Sequence, residues 1–262
     1  MRVLLSLWRN RPLLVELVRR DIRSRFAGAR FGLLWSLINP VVQLVSYGVI
    51  FGYVYASNRT ADSGAFVASL FCGLWPWWAF QEGTMRGLGA IVEQAGLLKK
   101  VPLRAEVCVL AAVTASFLLQ MLGFVIFVVV FHLLGLAPIS PRWLALPAIM
   151  LLGLGLSTGL GLVLAPIYLV VRDTLHVMNA VFTVWFFASP VLYGIEALPE
   201  RLRPLAAINP VVGLIGLYRF AVLGSEAPSA AAILVSVATV LAGWMAGSVL
   251  FSRLEGVLDE YW

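Results

Sequence analysis

Residues 19–40 read RRDIRSRFAGARFGLLWSLINP, and the character of this stretch changes abruptly after Arg30. The part up to Arg30 carries arginines and one aspartate, whereas the ten residues that follow contain no charged side chain. Cations beside a long apolar run are typical of the point where a cytoplasmic segment meets a membrane-spanning helix. The stretch therefore predicts an integral membrane protein whose first span begins near position 31.

The composition of the whole chain agrees with this prediction. Of 262 residues, 61% are hydrophobic and only 12% are charged, and the mean hydropathy is +0.94. A soluble domain has roughly 25% charged residues, so this chain has too little polar surface to face water on all sides. The isoelectric point near 9.7 indicates attraction to the anionic inner leaflet. A nucleic-acid partner is not expected, because no soluble basic face is available for one.

Charge-free stretches give the number of spans. Six of them are at least 19 residues long, and a spanning helix needs about 20 residues. The predicted fold is an all-α integral membrane protein with six transmembrane helices in one domain over residues 31–262. The spans are expected at about 31–56, 66–86, 107–134, 143–171, 175–194 and 228–251.

A further apolar segment between spans five and six is too short to cross. Residues 204–218 lack the length of a span, and several prolines lie in or beside them. We predict re-entrant helices over 196–223, with Asn209 as a helix cap and Pro210 at the first helical position. A re-entrant segment also keeps both termini on one side of the membrane.

The distribution of cations gives the orientation. With the N-terminus inside, 14 of the 19 lysines and arginines fall on cytoplasmic segments and 5 on outer ones, as the positive-inside rule requires. We therefore predict a multi-pass membrane protein with both termini cytoplasmic.

The N-terminal segment, residues 1–30, is predicted to be cytoplasmic and to contain an amphipathic helix that lies on the membrane surface. Leu14, Val18, Ile22 and Phe26 recur every four residues and would form its apolar face. Asp21 and Arg25 are four residues apart and are expected to pair.

Sites for chemistry are few. Neither lysine follows a phosphate-binding glycine loop, the two histidines are isolated from other ligands, and no zinc spacing occurs. Cys72 and Cys108 are expected to be buried apolar fillers, and the glycines of 153–161 to permit close packing between spans. Glu82 is the one acidic residue deep in a predicted span, and we expect it to reach the interface with Arg86.

The polar segment 91–104, IVEQAGLLKKVPLR, is predicted to form a short cytoplasmic helix that Pro102 ends. Ile91, Gln94 and Leu98 would form one face. Glu93, Lys99 and Lys100 would point elsewhere. Such a helix can transmit force from a partner, whereas the alternative is a solvated connector.

Several motifs, in order along nearly the whole chain, resemble one family. The opening stretch, CGLWPWWAF at 72–80, the segment from IVEQAGLLKK, GLGLVLAPIYLVVRD at 159–173 and the region 186–224 that ends in Tyr218, Arg219 and Gly224 are similar to ATP-binding cassette (ABC) polysaccharide exporter permeases. The likeness is greatest to O-antigen permeases of the Wzm type and to teichoic acid permeases, with capsule exporters of the KpsM type as relatives.

The resemblance implies a transport function and a set of partners. Two copies of this chain would assemble with two ABC ATPase subunits, and the partner subunit would bind ATP and Mg²⁺, with no cofactor in this chain. The substrate would be a glycan on undecaprenyl diphosphate in membrane lipid, O-antigen or a related cell-surface polysaccharide.

The same resemblance implies site residues. Coupling to the ATPase is expected at Glu93, Leu98, Lys99, Lys100, Arg172 and Asp173. The substrate pathway is expected at Arg23, Arg25 and Arg30, whose guanidinium groups suit contact with the diphosphate at headgroup level, and at Trp35, Trp75, Trp77, Trp78, Phe80, Trp185, Phe186 and Tyr193. Attraction to anionic lipid is the alternative for the arginines. Core packing or an interfacial belt is the alternative for the rings.

Two other functional classes stay open on the residues alone. One is a membrane acyltransferase or glycosyltransferase acting on a lipid substrate, which would need a nucleophile, base or metal near the surface. Its candidates would be Asp173, His176, Glu196 and Glu200, and no two of them make a known catalytic pair. The other is a channel or a structural scaffold.

Overall fold

The computed structural model describes residues 11–28, 31–56, 63–100, 103–201 and 203–260. Within these ranges every element of regular structure is a helix, as predicted. The α-helices are α1 Arg11–Arg25, α2 Trp35–Ala56, α3 Ser63–Glu93, α4 Ala95–Leu98, α5 Ala105–Leu133, α6 Leu146–Val170, α7 Thr174–Ala188, α8 Arg203–Ala207, α9 Pro210–Leu223 and α10 Ala230–Glu260. Short 3₁₀ helices cover Gly32–Leu34, Pro141–Ala145 and Ile195–Ala197.

Helices α3, α5 and α6 form the centre of the molecule, and the other helices pack around them. α10 lies along α6, α1 lies against α5, and α9 contacts α3, α6 and α10. The main core cluster is rich in aromatic rings from α3 and α5, including Phe71, Trp75 and Phe124. The central helices therefore pack through large side chains on one side and through glycines on the other.

Glycines of α6 let neighbouring helices come close, as the sequence predicts. A Cβ atom on Gly243 of α10 would lie 3.0 Å from backbone atoms of Gly159. A Cβ on Gly87 of α3 would lie 3.1 Å from the Cα of Gly161. Small residues on two faces of α6 thus set the spacing to α10 and to α3.

Three helical segments of the described chain are long and apolar enough to cross a membrane: Ala105–Leu133, Pro141–Val170 and Ala230–Arg253. They match the predicted spans 107–134, 143–171 and 228–251. Shorter apolar helices include Thr174–Ala188 and Pro210–Leu223. The structure thus supports a multi-pass membrane protein, while the count of six spans stays a prediction.

The predicted fifth span, 175–194, is longer than the helix that forms there. Helix α7 ends at Ala188, and Ser189 at its C-terminus has extended backbone. Pro190 follows, and a proline disfavours helical backbone in the residue before it. The prediction was wrong by about one and a half turns at this end.

The segment after α7 contains short helices where the sequence predicts re-entrant ones. Asn209 caps α9, its side chain accepting a hydrogen bond from the Val211 N–H, and Pro210 stands at the first helical position. Gly224 ends α9 with a left-handed backbone, φ 71°, which glycine adopts without strain. The predicted cap is confirmed, and the entry of these short helices into the membrane stays a prediction.

The predicted separate helix over 91–104 is wrong. Glu93 is the last residue of the 31-residue helix α3, and α4 is a single turn after a break at Gln94. The reason is packing, because Ile91 is buried in a cluster with Val109 and Leu162 and so keeps this stretch within α3. The predicted faces hold, since Gln94 is buried while Glu93 is exposed. Pro102 lies outside the described residues.

The apolar face of α1 is centred differently from the prediction. Leu17 is the buried apolar residue, and it packs on Val107 and Ala111 of α5. Leu14 and Val18 pack beside it, and all four residues of the predicted apolar face, including Ile22 and Phe26, are half-buried. The helix is oriented so that Asp21 is also buried, because its carboxylate pairs with arginine side chains.

Candidate functional site

A network of charged side chains joins α1 to α3. Asp21 lies 3.1 Å from the Arg25 Nε, as its sequence spacing predicts, and 2.9 Å from the Arg86 Nη2. Both contacts are largely shielded from solvent, with the Asp21 side chain only 10% exposed. Ion pairs of this kind are less screened than surface pairs. The network explains why α1 turns Asp21 towards the body of the protein.

Glu82 belongs to the same network. Its Oε1 lies 2.8 Å from the Arg25 Nη1, and its Oε2 accepts a hydrogen bond from the Gln120 Nε2. That Glu82 reaches the membrane interface together with Arg86 stays a prediction. Arg86 binds Asp21 and lies 3.3 Å from the Glu93 carboxylate. One more contact joins α1 to the C-terminal end of α3, because Arg20 donates to the side chain of Gln94, the residue after α3, at 3.0 Å.

A cavity of about 480 Å³ lies beside this network, between α1, α2, α3 and α5. Three side chains that the sequence assigns to the substrate pathway meet in its wall: Arg25, Trp35 and Trp78. The sequence separates them by ten and by more than forty positions, and the fold brings them together. Glu82 lines the same cavity.

Carboxamide side chains complete the wall of this cavity. They come from three helices, and the residues are Asn39, Gln43, Gln81 and Gln120. Two buried polar atoms of lining residues, the Arg25 Nη2 and the Gln120 Oε1, have no hydrogen-bond partner within the described part of the chain. Buried polar groups are normally paired, so a cavity with unused donors and acceptors in its wall is a candidate binding site.

Two further concavities continue from this cavity along the chain's surface. The next, of about 370 Å³, shares Gln43, Trp78 and Gln81 with it and reaches Phe186 and Phe187 of α7. The one after, of about 540 Å³, shares Phe187. Residues predicted for the pathway line this third concavity too, namely Trp185 and Tyr193. A row of concavities therefore runs from α1 to the short helices that follow α7.

Exposed polar side chains lie along this row. Asn39, Gln43 and Thr183 are exposed although they stand on strongly apolar helices. Unpaired polar groups are costly in hydrocarbon. This face of the molecule is therefore unsuited to lipid tails and suits water, polymer or a protein partner.

The far end of the row is held by hydrogen bonds. Trp185 Nε1 donates to the Asn209 Oδ1 at 2.9 Å, and Asn209 Nδ2 donates to the Ser189 Oγ at 2.8 Å. Arg219 donates to the carbonyl oxygens of Val191 and Tyr193, each at 3.0 Å. The turn after α7 and the start of α9 are thus fixed to one another by side chains.

Three of the predicted pathway rings lie in the interior instead. Trp75, Trp77 and Phe80 are at most 1% exposed. Trp75 Nε1 donates to the Gln120 carbonyl oxygen at 2.6 Å, and Trp77 packs edge-to-face with Phe182 at 6.0 Å. Trp75 and Phe80 offer no surface to a sugar while the protomer keeps this packing, and Trp77 borders the second concavity with only 1% of its surface exposed. Trp35, Trp78, Trp185, Phe186 and Tyr193 keep part of their surface available.

The predicted coupling residues fall in two exposed turns. Lys99 and Lys100 follow α4 and are exposed, and Leu98 is half-buried. Arg172 and Asp173 stand in the turn between α6 and α7, where the Arg172 guanidinium lies 5.3 Å from the Tyr168 ring centre. No described contact joins the two turns, and their role in coupling stays a prediction.

Arg23 is exposed on α1 and is not among the residues that line the cavity. Arg30 lies outside the described residues. Sequence reasoning missed Asn39, Gln43, Gln81 and Gln120. Their signal was present, since each is a carboxamide inside a charge-free or nearly charge-free stretch, where a polar side chain needs a reason.

Comparison with known proteins gives a consistent result. The family described as ABC-2 type transporter matches residues 12–223. The chain is 31% identical over 260 residues to the O-antigen export system permease protein RfbA of Myxococcus xanthus, covering 97% of each chain. It is 23% identical to RfbA of Klebsiella pneumoniae over 79% of this chain and 78% of that one. It is 28% identical to the polysialic acid transport protein KpsM of Escherichia coli, covering 78% of each.

Proposed function

The chain belongs to the ABC-2 type transporter family, and from that premise we propose that it is the permease of an ABC exporter for a cell-surface polysaccharide. It is a transport subunit and not an enzyme, since the relatives that match almost its full length are permeases. The acyltransferase and glycosyltransferase alternatives are set aside on this ground. An O-antigen or a related glycan is the proposed cargo, following the names of the relatives.

One structural observation carries the proposal beyond family membership. The row of concavities from Arg25 to Asn209 combines aromatic rings with exposed carboxamides and Thr183 on helices that are otherwise apolar. Flat rings and hydrogen-bonding groups suit the two faces of a sugar, one apolar and one rich in hydroxyls. A row of such groups supports movement of a polymer along this face.

The same face supports a dimer of this chain. The row forms a groove on the protomer, and its lining includes the exposed apolar ring of Phe187. A second copy would close the groove into a conduit. Because ABC transport requires ATP hydrolysis and no phosphate-binding loop occurs here, two ATPase subunits that bind ATP and Mg²⁺ complete the proposed assembly.

The finer features of the predicted topology belong to this proposal. Six spans, both termini in the cytoplasm and re-entrant helices on the outer side would put Arg25 at the inner surface and Tyr193 at the outer one. The conduit would then cross the bacterial inner membrane from the α1 end to the α9 end. The glycan would travel on undecaprenyl diphosphate in the lipid beside it.

Deleting the gene tests the proposed function. We expect surface glycan to be lost while lipid-linked glycan accumulates inside, and the full chain supplied on a plasmid to restore export. Cells that keep normal surface glycan after the deletion would contradict the proposal.

A cysteine experiment tests the conduit separately. The native Cys72 and Cys108 are buried, so background labelling by a water-soluble thiol reagent is low. Thr183→Cys should be labelled and should be protected when a glycan is stalled in the complex. Ser225→Cys, an exposed change in the loop between α9 and α10 and outside the row of concavities, is the control, which should be labelled equally with and without the stalled glycan.

A further inference from the structure

The charged side chains around the cavity at α1 pair with one another. Arg25 and Glu82 line it and pair at 2.8 Å. Behind them Asp21 pairs with Arg25 and with Arg86. Arg86 also pairs with Glu93, so two guanidinium groups share three carboxylates. A diphosphate would find no uncompensated cation among the described residues of this wall.

The donors of Arg25 are also largely used. Its Nε donates to Asp21 and its Nη1 to Glu82, at 3.1 and 2.8 Å. Phosphate recognition by arginine normally uses two parallel donors of a free guanidinium edge. Only the Nη2 of Arg25 has no partner within the described residues, so the side chain is poorly arranged for a phosphate group.

The rest of the wall suits an uncharged ligand rich in hydroxyl groups. Trp35 and Trp78 supply indole rings, and four carboxamides supply donors and acceptors in nearly equal number. A ring face of this kind accepts the C–H face of a pyranose, while carboxamides pair with its hydroxyls. The volume of about 480 Å³ lies within the range of small-ligand sites, about 300–1,000 Å³.

We infer that this cavity is a sugar subsite, which takes a neutral sugar residue of the glycan beside its lipid end and leaves the diphosphate outside. The inference rests on the proposed function and reverses one prediction from the sequence, which assigned Arg25 to the diphosphate. In the structure Arg25 is a positioning residue that holds Glu82, and Glu82 in turn holds the Gln120 side chain in the wall. The diphosphate is left to cations outside the cavity.

Two lipids that differ by one sugar test the inference. The full permease is placed in nanodiscs, and equilibrium binding is measured for undecaprenyl diphosphate bearing one neutral hexose and for undecaprenyl diphosphate without a sugar. Wild-type protein should bind the sugar-bearing lipid more tightly. Trp35→Ala and Asn39→Ala should weaken that binding about fivefold or more and leave binding of the sugar-free lipid unchanged.

Controls keep the result specific. Trp35 and Asn39 are both exposed on α2, so these variants should fold, which size-exclusion chromatography checks. Trp35→Phe keeps a ring and should restore much of the sugar-dependent affinity. Asn179→Ala removes an exposed carboxamide on α7 outside the cavity and should bind both lipids as wild type does.

The possible failures are distinguishable. If the variants weaken the binding of both lipids equally, the cavity binds the diphosphate and the sugar subsite is overturned. If the variants bind both lipids as wild type does, the sugar subsite is also overturned. Either result with normal glycan export in cells leaves the proposed function standing. Loss of the proposed function would show instead as normal surface glycan after gene deletion, and the sugar subsite would fall with it.

Discussion

Arg25 donates to Glu82 across 2.8 Å, and this contact joins the helix before the first apolar span to the middle of α3. The same α3 continues to Glu93, its last residue, whose carboxylate lies 3.3 Å from the Arg86 guanidinium. Arg20 adds a hydrogen bond from α1 to Gln94. α1 and Gln94 are therefore both attached to α3, the helix that also contributes Trp78, Gln81 and Glu82 to the wall of the cavity.

Asp21 is the shared partner of the two arginines, so its loss should weaken the attachment of α1. We expect Asp21→Asn to lower the free energy of unfolding by about 1–3 kcal/mol, as for other buried hydrogen-bonded groups left without a partner. Glu16→Gln, an exposed change on the same helix, is the matched control. Thermal melting of the purified full chain in detergent measures both, and equal melting temperatures would refute the role given to Asp21.

Close packing of α6 on α10 depends on the absence of a side chain at Gly243. We expect Gly243→Ala to destabilise the protein, because the new Cβ would lie 3.0 Å from the Gly159 backbone and overpacking costs about 1–3 kcal/mol. Gly96→Ala is the control, since nothing lies within 4 Å of its added Cβ. Protein yield and melting temperature are the readouts, and a Gly243 variant as stable as the control would show that the two helices can separate freely.

Exposed and buried rings should fail in different ways when removed. Phe187 is 64% exposed in the groove, whereas Trp75 is fully buried in the main core. We expect Phe187→Ala to slow glycan export at an unchanged protein level. Trp75→Ala should lower the protein level itself, since removing a buried ring costs about 3–5 kcal/mol. Surface glycan per amount of membrane-inserted protein measures the difference. The same ratio in both variants would argue against a pathway along the groove.

The exposed lysines after α4 are expected to dock the ATPase. Reversing them together, Lys99→Glu with Lys100→Glu, should leave the permease inserted and weaken co-purification of the ATPase. These lysines are a cleaner choice than Glu93, because Glu93 also pairs with Arg86 and its reversal would disturb α3. Arg201→Glu, an exposed change between the 3₁₀ helix Ile195–Ala197 and α8, is the control. Normal co-purification and export by the lysine variant would contradict a docking role and indicate that the segment is only a solvated connector between helices.

Long periodic or apolar stretches made the fold predictable. The helical class, the Asn209 cap, the glycine packing and the Asp21–Arg25 pair all followed from local spacing, and the structure contains each of them. The length of α7 did not follow from hydropathy, because the two residues Ser189 and Pro190 end the helix inside a run that stays apolar.

The site was harder to predict because its residues meet only in three dimensions. Which arginine pairs with Glu82 is decided by the way α1 lies on α5, and no spacing along the chain contains that information. The burial of Trp77 and the exposure of neighbouring Trp78 likewise depend on which face of α3 meets α7. The aromatic cluster was visible in the sequence, but its division into core and wall was not.

Reconstituted transport tests the central claim most directly. The full chain and its ABC ATPase are placed together in proteoliposomes, and the movement of a lipid-linked glycan across the bilayer is followed by its access to an externally added glycan-binding protein. We expect movement that requires ATP and both subunits, with no ATP hydrolysis by this chain alone. Movement without the ATPase, hydrolysis by the isolated chain, or no movement by the complete assembly would contradict the claim that this chain is the permease of an ABC polysaccharide exporter.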